Sequence, residues 1–181
     1  MGAIKTYTGI MVDPINAKDN EIVIEDIAHA LSLLCRANGH FPHFYSVAQH
    51  CINCAKESKA RGYSDRVQLG CLLHDASEAY LSDITRPVKP YLSGYLEIED
   101  RLQGIVFDKW VPQLTEDERK SIFEIDDTIL YYEFVELKNA KLTPEEPILI
   151  SKPIFDFVEF TTVESEFLGM FEEFISNKYR P

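Results

Sequence analysis

The sequence predicts an all-α domain that begins with a short extended arm or hairpin. Three observations support this fold class. Apolar residues recur at helical spacing in several segments, polar N-cap signals precede those segments, and the chain contains no internal repeat or low-complexity stretch. The 181 residues, of which 45% are hydrophobic, suffice to bury the core of one compact domain spanning residues 1–181.

The first part of the chain predicts an extended segment followed by two helices. Residues 4–24 hold β-branched runs around a turn rich in Pro, Asn and Asp. Residues 25–40 carry apolar side chains at helical spacing, and we expect Gly39 to end that helix as its C-terminal cap. Ser46 with Gln49 matches a capping box, which predicts a helix from about residue 47 to about residue 60.

Three further helices are predicted in the middle of the chain. Ser64 can cap a helix from about residue 65 to about residue 81, and residues 94–109 have the pattern of another helix. Thr115 and Glu118 form a capping box for a long helix over about residues 116 to 138.

The last part of the chain predicts a connector and one helix. Residues 141–160 contain three prolines, so they cannot form a continuous helix, and we expect them to wrap the bundle as an extended connector. Thr161 with Glu164 is expected to open the final helix. Its apolar stripe, rich in Phe, is expected to be core or a subunit contact.

Composition excludes several classes of partner. The 30 acidic and 18 basic residues give a formal net charge of -12, which disfavours binding to a nucleic acid polymer. No apolar run is long enough to span a membrane, and the start of the sequence lacks the features of a signal peptide, so we expect a cytoplasmic protein.

The four cysteines are too few and scattered for a disulfide framework, and Cys51 and Cys54 are interpreted as small core residues of one helix face.

The stretch LGCLLHDASEAYLSD, residues 69–83, places ionisable groups in a segment that otherwise resembles a buried helix. His74 and Asp75 follow directly after apolar residues, with Glu78 and Asp83 close behind. Burying such groups is costly unless a partner or a metal ion compensates. Adjacent helical residues point about 100° apart, so His74 and Asp75 can occupy neighbouring corners of one metal ion. Other helices must supply the remaining ligands.

Two residues elsewhere are candidates for those ligands. His50 follows Val47 by three positions and precedes Cys54 by four, which places it on the buried face of its helix. On the helix of residues 116 to 138, with Ile122 set at 0°, Asp126 falls at about 40°, in the middle of the apolar face, whereas Asp127 falls at about 140°, on its flank.

The other histidines are assigned by their positions. His29 lies opposite the apolar face of its helix and is interpreted as a solvated or edge residue. His40 and His43 lie in a turn from which they could reach the mouth of a pocket.

The residues His50, His74 with Asp75, and Asp126 resemble the H...HD...D signature of the HD-domain metal-dependent phosphohydrolases. The run HDASEAYLSDITRPVK is similar to the small deoxynucleotide-hydrolysing branch of that superfamily, which comprises bacterial 5'-deoxynucleotidases and small phage triphosphohydrolases acting on dATP. The likeness extends from residue 21 to about residue 135. It implies an HD-domain helical bundle and a 5'-phosphate ester hydrolase acting on deoxynucleotides, either monophosphates or triphosphates.

The resemblance also implies roles for individual residues. One divalent transition metal (Mn, Co, Zn or Fe) is expected at His50, His74, Asp75 and Asp126. Glu78 is expected to transfer protons with the attacking water and Asp83 to line the nucleotide pocket, both as catalytic groups. Substrate contacts are expected from Arg36, His40 and Lys89. Ala37 follows Arg36 where the family has a tryptophan. Members of the group form oligomers, so a homo-oligomer is expected here.

Two alternatives bear on this interpretation. A dinuclear centre of the oxygenase type needs extra ligands, commonly His between the HD pair and the last Asp, and this sequence has none between Asp75 and Asp126. The second alternative is a non-catalytic nucleotide-binding or regulatory HD module, whose mark would be the loss of a ligand or of Glu78. All five groups are present.

Overall fold

A computed structural model of the chain describes residues 2–178. Within them the fold is an all-α bundle preceded by a two-stranded antiparallel hairpin, which confirms the predicted class. The elements have these bounds: β1 (Ile4–Lys5), β2 (Met11–Val12), α1 (Ile24–Leu33), α2 (Val47–Ala60), α3 (Asp65–Leu73), α4 (Glu78–Leu81), α5 (Ser93–Trp110), α6 (Glu116–Lys138) and α7 (Phe160–Lys178).

Helix α2 lies at the centre of the bundle, in contact with α1, α3, α6 and α7. It begins where the capping signal predicts, because the Ser46 hydroxyl accepts a hydrogen bond from the Gln49 amide at 3.1 Å. Almost all of the helix is buried, including polar positions such as His50 and Asn53. A central helix with buried polar residues is the element around which a site can form.

Helices α3 and α6 approach each other closely at a glycine. A Cβ on Gly70 would overlap the Cδ1 atom of Ile122, so glycine lets the Ile122 side chain pack directly against the backbone of α3. Asp126 lies one turn after Ile122 on α6, and His74 lies one turn after Gly70. The close approach therefore brings the side chains of His74 and Asp126 near each other.

Helix α1 ends earlier than predicted, at Leu33, and Gly39 is not its cap. Leu34 and Cys35 are extended, a short 3-10 helix follows over Arg36–Gly39, and this part of the chain pairs with the chain before α2. The Val47 amide donates to the Leu34 carbonyl at 3.0 Å, and the Arg36 amide donates to the Tyr45 carbonyl at 2.9 Å. This local pairing competes with the helix and holds Arg36 beside the start of α2.

The predicted continuous helix over residues 65 to 81 is also wrong, because the chain breaks between α3 and α4. The His74 ring hydrogen-bonds through Nδ1 to the Cys71 carbonyl at 2.7 Å. A continuous α-helix would give that carbonyl to the amide of residue 75. Tight turns follow instead, with the Ala76 amide bonded to the Leu73 carbonyl and the Glu78 amide to the Asp75 carbonyl.

The bounds of α6 are those predicted from the capping box of Thr115 and Glu118. The N-terminal signal predicted for the last helix is wrong, because α7 begins at Phe160, before Thr161. The carboxylate of Glu159 accepts hydrogen bonds from both the amide and the hydroxyl of Thr161. The stripe of α7 is mainly core, with three of its phenylalanines buried: Phe167, Phe171 and Phe174.

The connector of residues 141–159 contains no helix, as predicted, and is anchored to α2 by hydrogen bonds. Gln49, Asn53 and Glu57 form a polar stripe at four-residue spacing along α2. Gln49 and Asn53 donate to the Ile154 carbonyl, and the Glu57 carboxylate accepts from the amides of residues 150 and 151. These polar side chains supply the partners that the connector backbone would otherwise find in a strand.

Among residues 2–178, none of the helices has both the length and the apolar character needed to cross a membrane.

Candidate metal centre

The four predicted metal ligands come together from three parts of the fold. His50 projects from the middle of α2, His74 and Asp75 occupy the turn after α3, and Asp126 lies in α6. His50 is fully buried, whereas the other three side chains retain 10–19% of their surface. The sequence prediction that these residues meet is thus reproduced by the geometry.

Their donor atoms form a compact cluster. The Nε2 atoms of His50 and His74 are 3.3 Å apart. The Oδ1 atom of Asp126 lies 3.0 Å from the His50 Nε2 and 3.7 Å from the His74 Nε2. The Oδ2 atom of Asp75 lies 3.4 Å from the His74 Nε2 and 4.0 Å from the His50 Nε2.

These separations fit a metal coordination shell. Donors placed about 2.1 Å from an ion in a tetrahedral arrangement are about 3.4 Å from one another. The five distances between the cluster atoms range from 3.0 to 4.0 Å around that value. The buried His and Asp groups can therefore hold a metal ion.

The tautomers of both histidines are suited to metal binding. The Nδ1 atom of His50 is 2.5 Å from the Oε1 atom of Glu133, and the Nδ1 atom of His74 is 2.7 Å from the Cys71 carbonyl. Each of these partners is an acceptor, so each Nδ1 atom carries a ring proton, and each Nε2 atom faces the cluster, where it could ligate a metal ion. A second partner that fixes the tautomer in this way is typical of metal-ligating histidines.

The charge of the cluster also favours a cation. Three carboxylates, from Asp75, Asp126 and Glu133, face the one buried guanidinium of Arg36, which leaves two negative charges uncompensated among these groups. Burial opposes both charged imidazoles, yet the carboxylates still raise the pKa of His50 and of His74 above their usual value. The cluster therefore stabilises positive charge, either as protons on the rings or as a metal ion.

The pKa values of two carboxylates in the cluster are lowered. Burial alone would raise the pKa of Asp126, but hydrogen bonds from His50 and His74 outweigh it and hold that pKa well below its usual value. Burial likewise opposes ionisation of Glu133, and the charges of Arg36 and His50 lower its pKa. Both groups are consequently ionised at neutral pH.

A cavity of about 470 Å³ opens over the cluster. Asp75 and Asp126 lie in its wall, whereas the two histidines are behind that wall. Its remaining lining separates into a charged part and an apolar part. The charged groups are Arg36, Glu78, Asp83, Arg86, Lys89 and Glu133, and the larger apolar groups are Phe41, Ile84, Leu130, Phe134 and Leu142.

Glu78 is a buried carboxyl group in this wall. It is 4% exposed, and its Oε2 atom has no hydrogen-bond partner. Its Oε1 atom accepts from Lys89 at 3.3 Å. Burial, followed by the charges of Asp75 and Asp83, raises the pKa of Glu78 well above its usual value. Asp83, the other predicted catalytic residue, lines the same cavity after α4.

The predicted substrate contacts divide into two groups. Arg36 and Lys89 line the cavity, but each is already bound to carboxylates: Arg36 contacts Glu133 at 2.9 Å, and Lys89 contacts Glu99 at 2.7 Å, outside the lining. His40 is exposed and is not part of the cavity lining, so the structure does not place it where the prediction requires. Ala37 and Phe41, on either side of it in sequence, line the cavity, while the His40 amide donates to the Ala37 carbonyl and the His40 carbonyl accepts from Lys138.

The other two histidines are structural in this fold. The Nε2 atom of His43 is 2.8 Å from the Phe155 carbonyl, so this ring anchors the connector instead of reaching a pocket mouth. His29 is partly buried at the edge of α1, as predicted, where it stacks on Tyr7 and contacts Glu164.

The sequence analysis did not identify Glu133 as part of the cluster, and it assigned Cys51 and Cys54 to the core alone. Glu133 follows Asp126 by seven residues, two helical turns, so the same angular argument that placed Asp126 would have placed Glu133 above it. Cys54 is buried, as predicted, but its Sγ atom also lies 3.4 Å from the His50 Nε2. Cys51 likewise lies within ligand distance of His74 and Asp75.

Comparison with known proteins gives relatives but no activity. No family model matches the chain. It is 40% identical over 112 residues to the uncharacterized protein YfdR of Escherichia coli (strain K12), a match that covers 61% of this chain and 59% of YfdR. It is 39% identical over 108 residues to the uncharacterized protein RCAP_rcc00048 of Rhodobacter capsulatus, covering 56% of this chain and 55% of that protein. The chain thus spans somewhat more than half the length of these relatives.

The neighbouring aspartates of α6 provide a matched test of the centre. Asp126 faces the cluster, whereas Asp127 is 44% exposed and binds Arg86 at the rim. We expect Asp126→Ala to lose the bound metal and Asp127→Ala to retain it. Metal analysis of the two purified variants measures this. Retention in Asp126→Ala together with loss in Asp127→Ala would show that the wrong carboxylate has been assigned.

A substitution of Glu133 tests whether its carboxylate orients the His50 ring for metal binding. Because Glu133→Gln removes the charge that orients His50 and Arg36 while keeping the side-chain shape, we expect metal affinity to fall by about 10- to 100-fold. Competition against a chelator of known affinity measures it. The control is Glu136→Gln, an exposed position one turn away on α6, which should bind metal as the unmodified protein does. Equal affinity in both variants would contradict the role given to Glu133.

Proposed function

We propose that this chain is a metal-dependent phosphohydrolase that cleaves the 5'-phosphate ester of nucleotides, with preference for 2'-deoxynucleotides. The observation that carries this proposal is the cluster of His50, His74, Asp75 and Asp126 at the floor of a cavity whose wall contains cationic side chains. The same residues form the HD-type signature in the sequence. A metal ion beside cationic side chains is suited to hydrolysis of phosphate esters.

The lining of the cavity supports a nucleotide as the substrate class. Arg86 and Lys89 provide positive charge on the side of the cavity near Asp126 and Glu78. Phe41, Leu130 and Phe134 provide an apolar wall. A ligand with an anionic end and a planar apolar end matches both parts, and the volume of about 470 Å³ is in the range of small-molecule sites.

The metal is proposed to be one divalent transition ion, such as Mn, Co, Zn or Fe, held by the two imidazoles and two carboxylates. Mixed nitrogen and oxygen ligands suit borderline ions of this kind. When bound, such an ion lowers the pKa of a water molecule and neutralises charge on phosphate oxygens. The cytoplasmic location and the homo-oligomeric assembly expected from the sequence stay predictions.

The protein side chains then have distinct roles in the reaction. Glu133 and the Cys71 carbonyl hold the Nδ1 atoms of the histidines, so the Nε2 atoms would face the ion. Arg36 fixes Asp75 and Asp126 from the side of Glu133. Glu78 lines the cavity, its Oε2 atom has no hydrogen-bond partner and its pKa is raised well above its usual value, so this carboxyl group can relay a proton between the attacking water and the leaving oxygen. Asp83 bounds the substrate space beside it.

The activity is tested with a panel of deoxy- and ribonucleoside mono-, di- and triphosphates, each assayed with Mn²⁺, Co²⁺, Zn²⁺ and Fe²⁺. Products are separated by chromatography, because a triphosphohydrolase releases tripolyphosphate, which a colour test for inorganic phosphate would miss. We expect nucleoside release from at least one deoxynucleotide, loss of that release with EDTA, and recovery on addition of a divalent ion. Nucleotide binding without cleavage under all four metals would support a regulatory module instead and overturn the proposed activity.

Glu78 is expected to be required for turnover but not for metal binding. Loss of a general acid or base typically lowers the rate by about 100- to 10,000-fold. We expect Glu78→Gln and Glu78→Ala to keep the fold and near-full metal content and to lose at least about 100-fold in single-turnover rate. Thermal melting, metal analysis and rate measurement on one preparation give all three quantities.

The control separates proton transfer from the ion pair with Lys89. Glu99 is the other carboxylate bound to Lys89, at 2.7 Å, and it is not part of the cavity lining. If Glu78 acts only by holding Lys89, Glu99→Gln should lower the rate as much as Glu78→Gln does. A metal-free Glu78→Gln protein would instead identify Glu78 as a ligand.

A further inference from the structure

We propose that the thiol of Cys54 is an additional ligand of the metal centre, which makes the centre selective for thiophilic divalent ions such as Zn²⁺ over Mn²⁺. This inference rests on the metal centre of the proposed function. It adds to the predicted ligands a residue that sequence reasoning assigned to the core.

The position of Cys54 on α2 is the first support. Cys54 follows His50 by four residues, so the two side chains lie on the same face of the helix, one turn apart. Cys54 is fully buried. Its Sγ atom, the His50 imidazole and the His74 imidazole have potential ligand atoms within 4.8 Å of one another. The thiol is therefore part of the same cluster as the two histidines.

The distance between sulfur and nitrogen is the second support. The Sγ atom of Cys54 lies 3.4 Å from the Nε2 atom of His50, which is the nitrogen that faces the predicted ion. An ion with Zn–S and Zn–N distances of about 2.3 and 2.1 Å separates tetrahedral S and N ligands by about 3.6 Å. One ion can therefore contact both atoms with little movement of α2.

The thiol lies on the inner side of the centre. Asp75 and Asp126 form part of the cavity wall, whereas Cys54 and His50 are behind it. A thiol ligand on that side leaves the side toward the cavity free for substrate. Binding would replace the S–H bond with a bond from sulfur to the metal and release the proton to solvent. No oxidation or reduction is involved.

The chemical consequence is selectivity among metals. Carboxylate and water ligands suit Mn²⁺, whereas thiolate ligands favour softer ions. With Cys54 bound, the centre should prefer Zn²⁺ and Co²⁺ to Mn²⁺. Without Cys54, the remaining His and Asp ligands should discriminate less.

The test uses Co²⁺ as a spectroscopic probe of the full chain. A thiolate bound to Co²⁺ gives a charge-transfer absorption band in the near ultraviolet, and the bound ion also absorbs in the visible region. We expect both bands in the unmodified protein at one Co²⁺ per chain. We expect Cys54→Ser and Cys54→Ala to retain the visible bands and lose the near-ultraviolet band, with Zn²⁺ affinity lowered by about tenfold or more and Mn²⁺ affinity changed much less.

Two other cysteines serve as controls. Cys35 lies outside the cluster and is only partly buried, so Cys35→Ser should keep both bands. Cys51 also lies within ligand distance of His74 and Asp75, so Cys51→Ser tests the alternative thiol ligand, and with Cys54 as the ligand this variant should keep both bands. Loss of the near-ultraviolet band in Cys51→Ser but not in the Cys54 variants would overturn the proposal.

The remaining outcomes distinguish this inference from the proposed function. Stoichiometric Co²⁺ binding with visible bands but no near-ultraviolet band in the unmodified protein would overturn the role of Cys54 and leave the His and Asp centre intact. Binding of Mn²⁺ or Fe²⁺ without binding of Co²⁺ or Zn²⁺ would overturn the role of Cys54 alone, and failure to bind any of these four ions would overturn both. Thermal melting of the metal-free variants shows whether they are folded, and Cys54→Ala provides a folded substitute if serine is not tolerated at this buried position.

Discussion

The site depends on the burial of negative charge around His50. Removing carboxylates from water is costly unless positive charge and hydrogen bonds replace the lost hydration. Asp75, Asp126 and Glu133 are brought together with one buried guanidinium, that of Arg36. Arg86 also contacts Asp126, at 2.7 Å, but its side chain is half exposed, so much of the remaining compensation comes from the imidazoles or from an ion between them. The arrangement of the surrounding side chains suits an ion, because the partners of the Nδ1 atoms leave the Nε2 atom of each ring facing the cluster.

Three local backbone features, in addition to the packing of the helices, place the charged groups of the cluster. The pairing of the chain before α2 with the chain after α1 fixes Arg36 beside His50. The break after α3 turns His74 and Asp75 toward α6. Gly70 permits the close approach of α3 and α6. The local departures from regular helix therefore position the groups that compensate one another's charge.

The angular pattern of α2 and α6 was sufficient to predict His50 and Asp126 and to separate Asp126 from Asp127. The helix starts were predicted correctly where an N-cap side chain fixes them, as at Ser46 and Thr115. Prediction failed where tertiary hydrogen bonds compete with the helix. The His74 ring takes a carbonyl that helical periodicity assigns to an amide, so the break after Leu73 could not be deduced from local sequence.

The roles of Glu133 and His40 were not predicted correctly because both depend on the tertiary fold. Glu133 has the same helical phase as Asp126, but its role depends on Arg36, which lies 97 positions away in sequence. His40 was placed near the pocket because it lies in the turn between α1 and α2, but its side chain is exposed and outside the cavity lining. Such pairings between distant residues are set by the tertiary fold, and the local periodicity of one sequence does not encode them.

The most direct measurement of the central claim is anomalous X-ray diffraction from crystals grown with Zn²⁺, collected on both sides of the zinc absorption edge. The account predicts one strong anomalous peak inside the cluster, about 2.0 to 2.2 Å from the Nε2 atoms of His50 and His74 and from an oxygen of Asp75 and of Asp126. A folded protein with no peak there, whose Nε2 atoms instead donate hydrogen bonds directly to these carboxylates, would contradict it. The charge of the cluster would then be compensated by protons and not by a metal.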